Sequence, residues 1–373
     1  MSTAYVEIYP KRVRQNAELL RHLCEKQGVG LVAVIKGFDA HPAILRALAE
    51  AGYTCMASSR LPHLAAAREG GFARETMMLR LPAPQEAEDV VRYADSSLNS
   101  EWETLLTLNS AAAKQGKIHH VILMRDLGDL REGVYDKGDF YHLAEKTEGL
   151  KHLHLLGIGV NLTCYGSVIP STENLSRLAA DAAEINRRLG RDLEVVSGGS
   201  TSSLPLVIKG GLPKGINQLR LGEALVVPWD LIHYWECPLP GLRNDCLVLK
   251  SPVIETAVKP SLPQGELGRN GFGTEMDYED RGMHKRALLA MGVLDFGDWQ
   301  KLLPVDEQAH VLGASSDHLI LDVEDSKKTY YLGEEVAFTL RYRAMLNAMS
   351  CPLVGKVVLG EDGIKKGEKQ ADI

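Results

Sequence analysis

Short apolar runs alternate with helix-period segments from residue 31 to residue 227, and this alternation constrains the fold more than any other feature. Between the runs, apolar residues recur at helical spacing, and most of these segments end in the glycine expected just past a helix. Strands that alternate with helices through short connections form a parallel sheet. About eight such units over roughly 200 to 250 residues form a (β/α)8 barrel. The predicted strands are LVAVIK, TCMASS, TMMLRL, SSLNS, HHVILMRD, LLGIGVNL, LEVVSG and QLRLGEAL.

A second domain follows the predicted barrel. The alternation stops near residue 228, residues 231–285 are rich in proline and glycine, and later segments such as HLILDV and EVAFTLRY predict antiparallel strands. An open doubly wound sheet is the alternative to the barrel, but no GxGxxG follows the first strand. We therefore predict an α/β (β/α)8 TIM barrel over residues 1–232 and a mainly antiparallel β C-terminal domain over residues 233–373, ending in a flexible charged tail. Residues 1–10 are counted with the barrel here, with the second domain as the alternative.

Charge, hydropathy and cysteine usage exclude several classes of protein. The net charge is -7 and no long basic run occurs, which argues against a nucleic-acid partner. No apolar run is long enough to span a bilayer, and the N-terminus lacks the apolar core of a signal peptide. The six cysteines are scattered without a CxxC pair, and the histidines lack the spacing of a metal site. We expect a cytoplasmic protein with reduced thiols, no membrane association and no bound metal.

Lys36 closes the first predicted strand, in VAVIKGFDAH. In a (β/α)8 barrel the carboxyl ends of the strands build the active site. A lysine held in a partly dry pocket loses its proton more readily and becomes a nucleophile towards aldehydes, as pyridoxal phosphate chemistry requires. The alternative is a lysine that extends from the barrel rim to water. Position alone does not decide between the two.

Two later stretches suit an anionic, aromatic ligand. In VSGGSTSSLPLVIKGG, glycines and hydroxyl residues lie between a strand end and a helical run, a pattern that indicates phosphate binding or a capped turn. Barrels often bind phosphate near their seventh and eighth strands. Arg220 lies within the apolar run of the eighth strand, so it either pairs with a carboxylate or contacts a ligand. Facing a pyridine nitrogen, it would donate a hydrogen bond without releasing a proton.

Six stretches together carry a family resemblance. They are VAVIKGFDAH, VILMRDLGDLREGVYDKG, GIGVNLTCYGSVIP, VSGGSTSSLPL, INQLRLGEALVV and GASSDHLILDVEDS. Along almost its whole length the chain resembles the fold-type III pyridoxal phosphate enzymes of the alanine racemase-like family, and it looks closest to the alanine/ornithine racemase branch. The resemblance implies a pyridoxal 5'-phosphate cofactor and a head-to-tail homodimer with twofold symmetry, in which the second domain of one subunit completes the active site of the other.

The resemblance also implies roles for individual residues. Lys36 would hold the cofactor as an internal aldimine and then act as a base on one face of the substrate Cα. Arg220 would contact the pyridine nitrogen, and Arg131 would lie near the cofactor phenolic oxygen or the substrate carboxylate. Asn161 takes the position of a ring-stacking histidine. His41 either contacts the cofactor or begins a helix. The full set of cofactor-binding candidates is Lys36, His41, Arg131, Asn161, Gly199, Ser202, Ser203, Arg220 and Gly222.

Two positions depart from the family pattern. Ala40 replaces the tyrosine that usually follows the lysine by four residues, and Val293 replaces the tyrosine that serves as the second base. A two-base racemase needs a proton acceptor on each face of Cα, so another group must take that role. Cys164 and Tyr165 are the candidates. The weaker ones are Tyr278, His284 and His318.

Asp295 and Asp317 are candidates to meet a substrate side chain, together with Arg131 at the carboxylate. A carboxylate would suit a basic amino acid such as ornithine or lysine, although each Asp could equally cap a turn. The predicted function is therefore pyridoxal phosphate-dependent racemisation of a free amino acid, either a basic one or a broad range. An aldolase or decarboxylase on the same fold is the first alternative, because lyase chemistry does not require two bases. A non-catalytic carrier of the cofactor is the second.

Overall fold

A computed structural model describes residues 3–275 and 277–360. The chain divides into two compact units: Lys11–Arg243 forms one, and the chain up to Pro10 joins the chain from Asn244 onward to form the other. The predicted flexible tail lies almost entirely outside the described residues, because it begins at Gly360.

The Lys11–Arg243 unit is a closed barrel of eight parallel strands, which confirms the predicted barrel. Strand β1 (Tyr5–Ile8) precedes it and belongs to the other unit. The barrel strands are β2 (Gly30–Val34), β3 (Cys55–Ser58), β4 (Glu75–Met78), β5 (Ser96–Asn99), β6 (His119–Met124), β7 (Leu153–Gly159), β8 (Val195–Ser197) and β9 (Gln218–Leu221). Each pairs in parallel with the next, and β9 returns to β2 through Gly30 and Gln218. All eight predicted strands are therefore present.

Helices surround the barrel. They are α1 (Pro10–Glu25), α2 (Pro42–Glu50), α3 (Leu61–Glu69), α4 (Ala87–Tyr93), α5 (Trp102–Lys114), α6 (Lys137–Glu148), α7 (Thr172–Leu189), α8 (Leu204–Ile208) and α9 (Glu223–Val226). Helix α7 shows the local physics: Ser171 accepts a hydrogen bond from the Asn174 N–H at its start, and Gly190 ends it with φ of 67°. Only one face of it is buried, which is typical of a surface helix. Within the described ranges, no helix is long and apolar enough to cross a bilayer.

The barrel interior is filled by side chains, as expected for eight strands. Val32, Met77, Leu98, Ile122 and Met124 form this inner core. A larger apolar cluster lies between the strands and the helices. Because side chains fill the interior, a ligand can bind only at the end of the barrel, where polar groups follow the carboxyl ends of the strands.

The other unit is a mainly antiparallel sheet, which confirms the second part of the predicted fold class. Its strand order is β12-β15-β10-β11-β14-β13, and β1 pairs antiparallel with β10 and parallel with β16. Its elements are β10 (Leu247–Pro260), β11 (Met283–Leu289), α10 (Val293–Phe296), β12 (Leu302–Pro304), β13 (His310–Ala314), β14 (Leu319–Asp322), β15 (Glu335–Leu340), α11 (Tyr342–Ser350) and β16 (Gly355–Val358).

The division between the units lies at Arg243 and Asn244, later in the chain than the predicted 232/233 boundary. Hydrogen bonds to α1 explain the difference. The Asn16 side chain accepts from the Arg243 N–H at 2.7 Å and donates to its carbonyl at 2.8 Å, and Gln15 Nε2 donates to the Gly241 carbonyl at 2.7 Å. These contacts hold residues 241–243 on the barrel unit.

Candidate active site

Lys36 follows strand β2 rather than ending it. The strand stops at Val34, and Lys36 opens a 3₁₀ turn that runs to Phe38. Burial lowers the pKa of the Lys36 ammonium, the nearby Cys164 thiol acts in the opposite direction, and Arg131 adds to the lowering. Lys36 therefore holds a larger fraction of neutral amine at a given pH than an ordinary lysine.

The turn that carries Lys36 is tied to strand β3. Asp39, in the left-handed region with φ of 53°, accepts through Oδ1 from His63 Nε2 at 2.9 Å, and His63 Nδ1 contacts Ser58 Oγ at 3.0 Å. The order Ser–His–Asp is that of a hydrolytic triad, but Ser58 is fully buried and its oxygen also accepts the Arg60 N–H. These bonds therefore anchor the lysine turn. Sequence reasoning did not single out His63.

Arg220 is 3% exposed, at the third position of β9. Nη1 donates to Ser197 Oγ, and Nη2 donates to the Val160 carbonyl and to Asn161 Oδ1, both at 2.8 Å. Among the described residues no carboxylate forms an ion pair with it. Burial lowers its pKa to about 10, so it stays protonated at neutral pH. Of the two predicted alternatives for Arg220, the structure shows no ion pair with a carboxylate among the described residues, and its hydrogen-bond partners are neutral groups.

The serine-rich stretch forms a 3₁₀ turn over Thr201–Ser203 that continues into α8. Gly199 has φ of +105°, and a Cβ there would lie 3.0 Å from Ser203 Oγ. The Ser203 hydroxyl donates to a main-chain carbonyl at 2.7 Å, and the Ser202 hydroxyl donates to another at 3.4 Å. At the end of β9, a Cβ on Gly222 would lie 3.2 Å from the Val34 carbonyl oxygen. Glycine thus brings two strand ends close together beside a hydroxyl-lined turn.

The loops after β6 and β7 bring the remaining barrel candidates together. Arg131 donates through Nη1 to Cys164 Sγ and through Nη2 to Glu132 Oε1 at 2.6 Å. Asn161 Nδ2 donates to the same carboxylate oxygen. Glu132 is the site residue that sequence reasoning missed. Its signal was an acidic residue directly beside a candidate arginine.

Asp129 fixes the two loops against each other. Its carboxylate accepts the N–H groups of Tyr165 at 3.0 Å and Val168 at 3.2 Å, and that of Cys164 at 3.5 Å. Burial alone would raise the pKa of Asp129, but the backbone donors outweigh it and hold the pKa below its usual value. Tyr165 is 73% exposed and Cys164 is exposed as well, and the Cys164 thiol contacts Arg131.

Arg125, directly after strand β6, supports the loop that follows and takes no place in the proposed site. Its Nε donates to Asp181 Oδ2 at 3.1 Å within a buried ion pair, and its Nη1 donates to the carbonyls of Val134 and Tyr135 at 2.6 and 2.5 Å. Asp181 also accepts from Tyr141 Oη at 2.8 Å. Arg125 therefore holds the base of the loop that carries Arg131.

Replacing Asp181 with Asn should lower the free energy of unfolding by about 3 to 5 kcal/mol, because it leaves the buried Arg125 charge uncompensated. Urea unfolding of the full-length protein, followed by circular dichroism, measures the change. Glu184→Gln, on the surface of the same helix, is the matched control and should unfold close to the wild type. Equal shifts in the two variants would contradict the assignment.

His41 lies at the start of α2, where its Nδ1 accepts the Ala43 N–H at 3.3 Å. Of the two predicted alternatives for His41, the structure shows the one in which it begins a helix. His284 Nδ1, a weaker second-base candidate, contacts Asp322 Oδ2 at 2.8 Å in the other unit. His318 lies beside Ser315, and Tyr278 is exposed.

The two aspartates of the second unit lie on adjoining segments. Asp295 accepts the Gly292 N–H at 2.8 Å, and Asp317 accepts from the Ser316 hydroxyl at 2.5 Å. A Cβ on Gly292 would lie 2.1 Å from the Ser316 carbonyl oxygen, so only glycine allows this approach. Val293, in place of a tyrosine, begins the short helix α10 beside them. Each aspartate thus accepts a hydrogen bond from a group within three residues in the sequence, as aspartates in turns do.

The fold and the rim define a class of protein. It is a (β/α)8-barrel enzyme with a lysine of lowered pKa after its first barrel strand, a buried arginine on its last barrel strand, and an antiparallel β domain. The chain belongs to the family described as Alanine racemase, N-terminal domain, whose model matches residues 8–228. The resemblance stated from the sequence is thus confirmed.

Two relatives extend the similarity over nearly the whole chain. Ornithine racemase of Acetoanaerobium sticklandii is 41% identical over 358 residues, which cover 94% of this chain and 100% of that protein. Lysine racemase of Thermotoga maritima is 33% identical over 347 residues, which cover 93% of this chain and 96% of that protein. Similarity to the ornithine racemase branch is therefore confirmed as well.

Solved structures agree on the fold. An alanine racemase from a D-cycloserine-producing Streptomyces lavendulae has a TM-score of 0.73 at 18% identity, covering 96% of this chain and 98% of that one. An alanine racemase from Bartonella henselae with covalently bound pyridoxal phosphate has a TM-score of 0.70 at 15% identity, covering 96% of this chain and 100% of that one. At these identities the likeness shows the shared architecture.

Proposed function

We propose that this protein racemises a free amino acid, a basic one such as ornithine or lysine, with pyridoxal 5'-phosphate as cofactor. The observation that carries the proposal is the placement of Lys36, Arg220 and the Thr201–Ser203 turn at one end of one barrel. The names of the two relatives, ornithine racemase and lysine racemase, support a basic substrate. Membership of the alanine racemase family supports the cofactor.

The donor set at the rim fits pyridoxal phosphate. Ser202, Ser203 and the tight backbone at Gly199 and Gly222 offer hydroxyl and amide donors suited to a phosphate. Arg220 offers a buried donor for a ring nitrogen, and Arg131 and Asn161 complete the proposed binding set. When bound, pyridoxal phosphate supplies an aldehyde that reacts with amines and a ring that withdraws electrons from the substrate Cα.

Lys36 supplies the first base. Its lowered pKa raises the fraction of neutral amine, the form that can bind the aldehyde or accept the Cα proton on one face. Arg220, with a pKa of about 10, keeps its own proton at neutral pH. Arg220 would therefore donate a hydrogen bond to the ring nitrogen of bound cofactor without giving up its proton.

Cys164 supplies the second base in our proposal. It follows β7, which is not a barrel neighbour of the β2 strand that precedes Lys36, and we propose that the two groups approach the substrate Cα from opposite faces. The Cys164 thiol contacts Arg131 and contributes to the charge environment of Lys36. Cys164 and Tyr165 are both exposed, so the contact with Arg131, rather than burial, favours the cysteine over the tyrosine. Approach from two sides is what a two-base racemisation requires.

We further propose a head-to-tail homodimer in the cytoplasm. Asp295 and Asp317 of the partner subunit would then meet the basic side chain of the substrate, while Arg131 of the first subunit meets its carboxylate. The six cysteines are free, which supports a reducing compartment. Light scattering coupled to gel filtration tests the assembly: a monomer at enzyme-assay concentrations would contradict it.

The function is tested by incubating the purified protein and pyridoxal phosphate in D2O with each common L-amino acid. We expect deuterium at Cα and the D-enantiomer for ornithine or lysine, with much slower conversion of acidic amino acids. Chiral chromatography and mass spectrometry measure both. Loss of carbon dioxide or cleavage to an aldehyde would point instead to the decarboxylase or aldolase alternative. No reaction with any amino acid would overturn the proposal.

A further inference from the structure

Glu132 is a nearly buried carboxylate among cations, with a side chain 13% exposed. Arg131 binds it with two donors: Nε contacts Oε2, and Nη2 contacts Oε1 at 2.6 Å. This is the two-pronged geometry that makes an arginine–carboxylate pair both strong and directional. Oε1 also accepts from Asn161 Nδ2.

Asn161 continues the chain of hydrogen bonds to the opposite side of the site. Its Oδ1 accepts from Arg220 Nη2 at 2.8 Å, while its Nδ2 donates to Glu132. The amide oxygen thus faces a cation and the amide nitrogen faces an anion. Turning the amide over would place donor against donor and acceptor against acceptor, so Glu132 and Arg220 together define its orientation.

The charge of Glu132 also acts on Lys36 and Arg220. Besides its burial, Lys36 experiences the charges of Cys164, Arg131, Glu132 and Arg60, and Arg220 experiences those of Glu132, Arg131 and Cys164. In both sets Glu132 favours the charged form, whereas Arg131 opposes it. Cations gathered at low dielectric repel one another unless an anion balances them.

We propose that Glu132 is a positioning residue whose carboxylate is the shared counter-ion of Lys36, Arg131 and Arg220 and which orients Arg131 and Asn161. Removing its charge raises the cost of protonating Lys36, so the neutral amine forms at lower pH. Where the proposal bears on catalysis it rests on the proposed racemase function: a less basic Lys36 and a loosened Arg131 should lower kcat.

The test measures Lys36 itself, by pH-dependent acetylation of the full-length protein stripped of cofactor, with the Lys36 peptide quantified by mass spectrometry. Glu132→Gln should shift the midpoint of Lys36 labelling to lower pH. Arg131→Met should shift it to higher pH, because it removes a cation. Glu103→Gln, an exposed position on α5, is the matched control and should leave the midpoint unchanged. Opposite shifts from two neighbouring residues are not produced by general loosening of the loop.

Two further outcomes decide the case. Asn161→Ala keeps the Glu132 charge, so a midpoint near the wild type supports the counter-ion role, and a shift equal to that of Glu132→Gln overturns it. If Glu132→Gln does not fold, Arg131→Met decides, and the absence of an upward shift overturns the proposal. A protein that racemises no amino acid yet shows both shifts would refute the proposed function and leave the role of Glu132 intact.

Discussion

Replacing Lys36 with Ala should reduce racemisation by about 10⁴-fold or more, the largest loss we expect from any single side chain. In our proposal the amine provides both the attachment point for the cofactor and the base on one face of Cα, and among the described residues no other lysine follows a barrel strand as closely. Polarimetry measures the rate, and absorbance measures whether cofactor remains linked to the protein. The change in optical rotation with time and the absorbance of linked cofactor should both be lost.

Lys151→Ala is the matched control, since this exposed lysine lies on the same barrel between α6 and β7. It should keep the activity and the absorbance of the wild type. Because Lys36 is mostly buried and carries a desolvation penalty, its removal should not unfold the barrel, and circular dichroism checks this. A folded Lys36→Ala variant that racemises at the wild-type rate would refute the assignment.

Replacing Cys164 with Ala should slow racemisation by about 10² to 10⁴-fold, the usual contribution of a positioned acid or base. Lys36 would still exchange the Cα proton on its own face. In D2O, one enantiomer should therefore continue to incorporate deuterium with retention of configuration, while the other should not. Nuclear magnetic resonance of each enantiomer measures this asymmetry, which a merely destabilised variant would not show.

Tyr165→Phe separates the two second-base candidates. In our proposal the tyrosine takes no part in the proton transfer, so the variant should keep racemisation close to the wild-type rate. The reverse result, with Cys164→Ala active and Tyr165→Phe showing the asymmetric exchange, would assign the second base to the tyrosine. Symmetric loss of exchange in Cys164→Ala would also contradict the proposal, because it would indicate damage to the Lys36 side.

The barrel was predictable because its signals are local. The strands and helices are indicated by their apolar spacing, and most of the helices also by a glycine just past their end, as α7 is between Ser171 and Gly190. Parallel strands then bring their carboxyl ends to one rim, so Lys36, the Thr201–Ser203 turn and Arg220 could be grouped without coordinates. Their proposed roles came from the family resemblance.

The division of labour among the polar residues was not predictable in this way. Arg125 and Arg131 lie in one segment, yet the first is buried against Asp181, 56 residues further on, and the second faces Cys164. Glu132 acquires its importance from Asn161, 29 residues away in the chain. The boundary between the units depends on contacts of Asn16 with Arg243, 227 residues apart.

The architecture and the family could be inferred from the sequence, because strand–helix periodicity is a property of neighbours along the chain and the motif residues are read directly. Which charged side chains meet depends on the tertiary structure. Hydrogen bonds and burial depend on distances between loops that close far from each other in sequence, and a side chain's pKa follows from those neighbours rather than from its own identity. Lys36 could therefore be found from the sequence, whereas the carboxylate of Glu132 beside its charged neighbours could not.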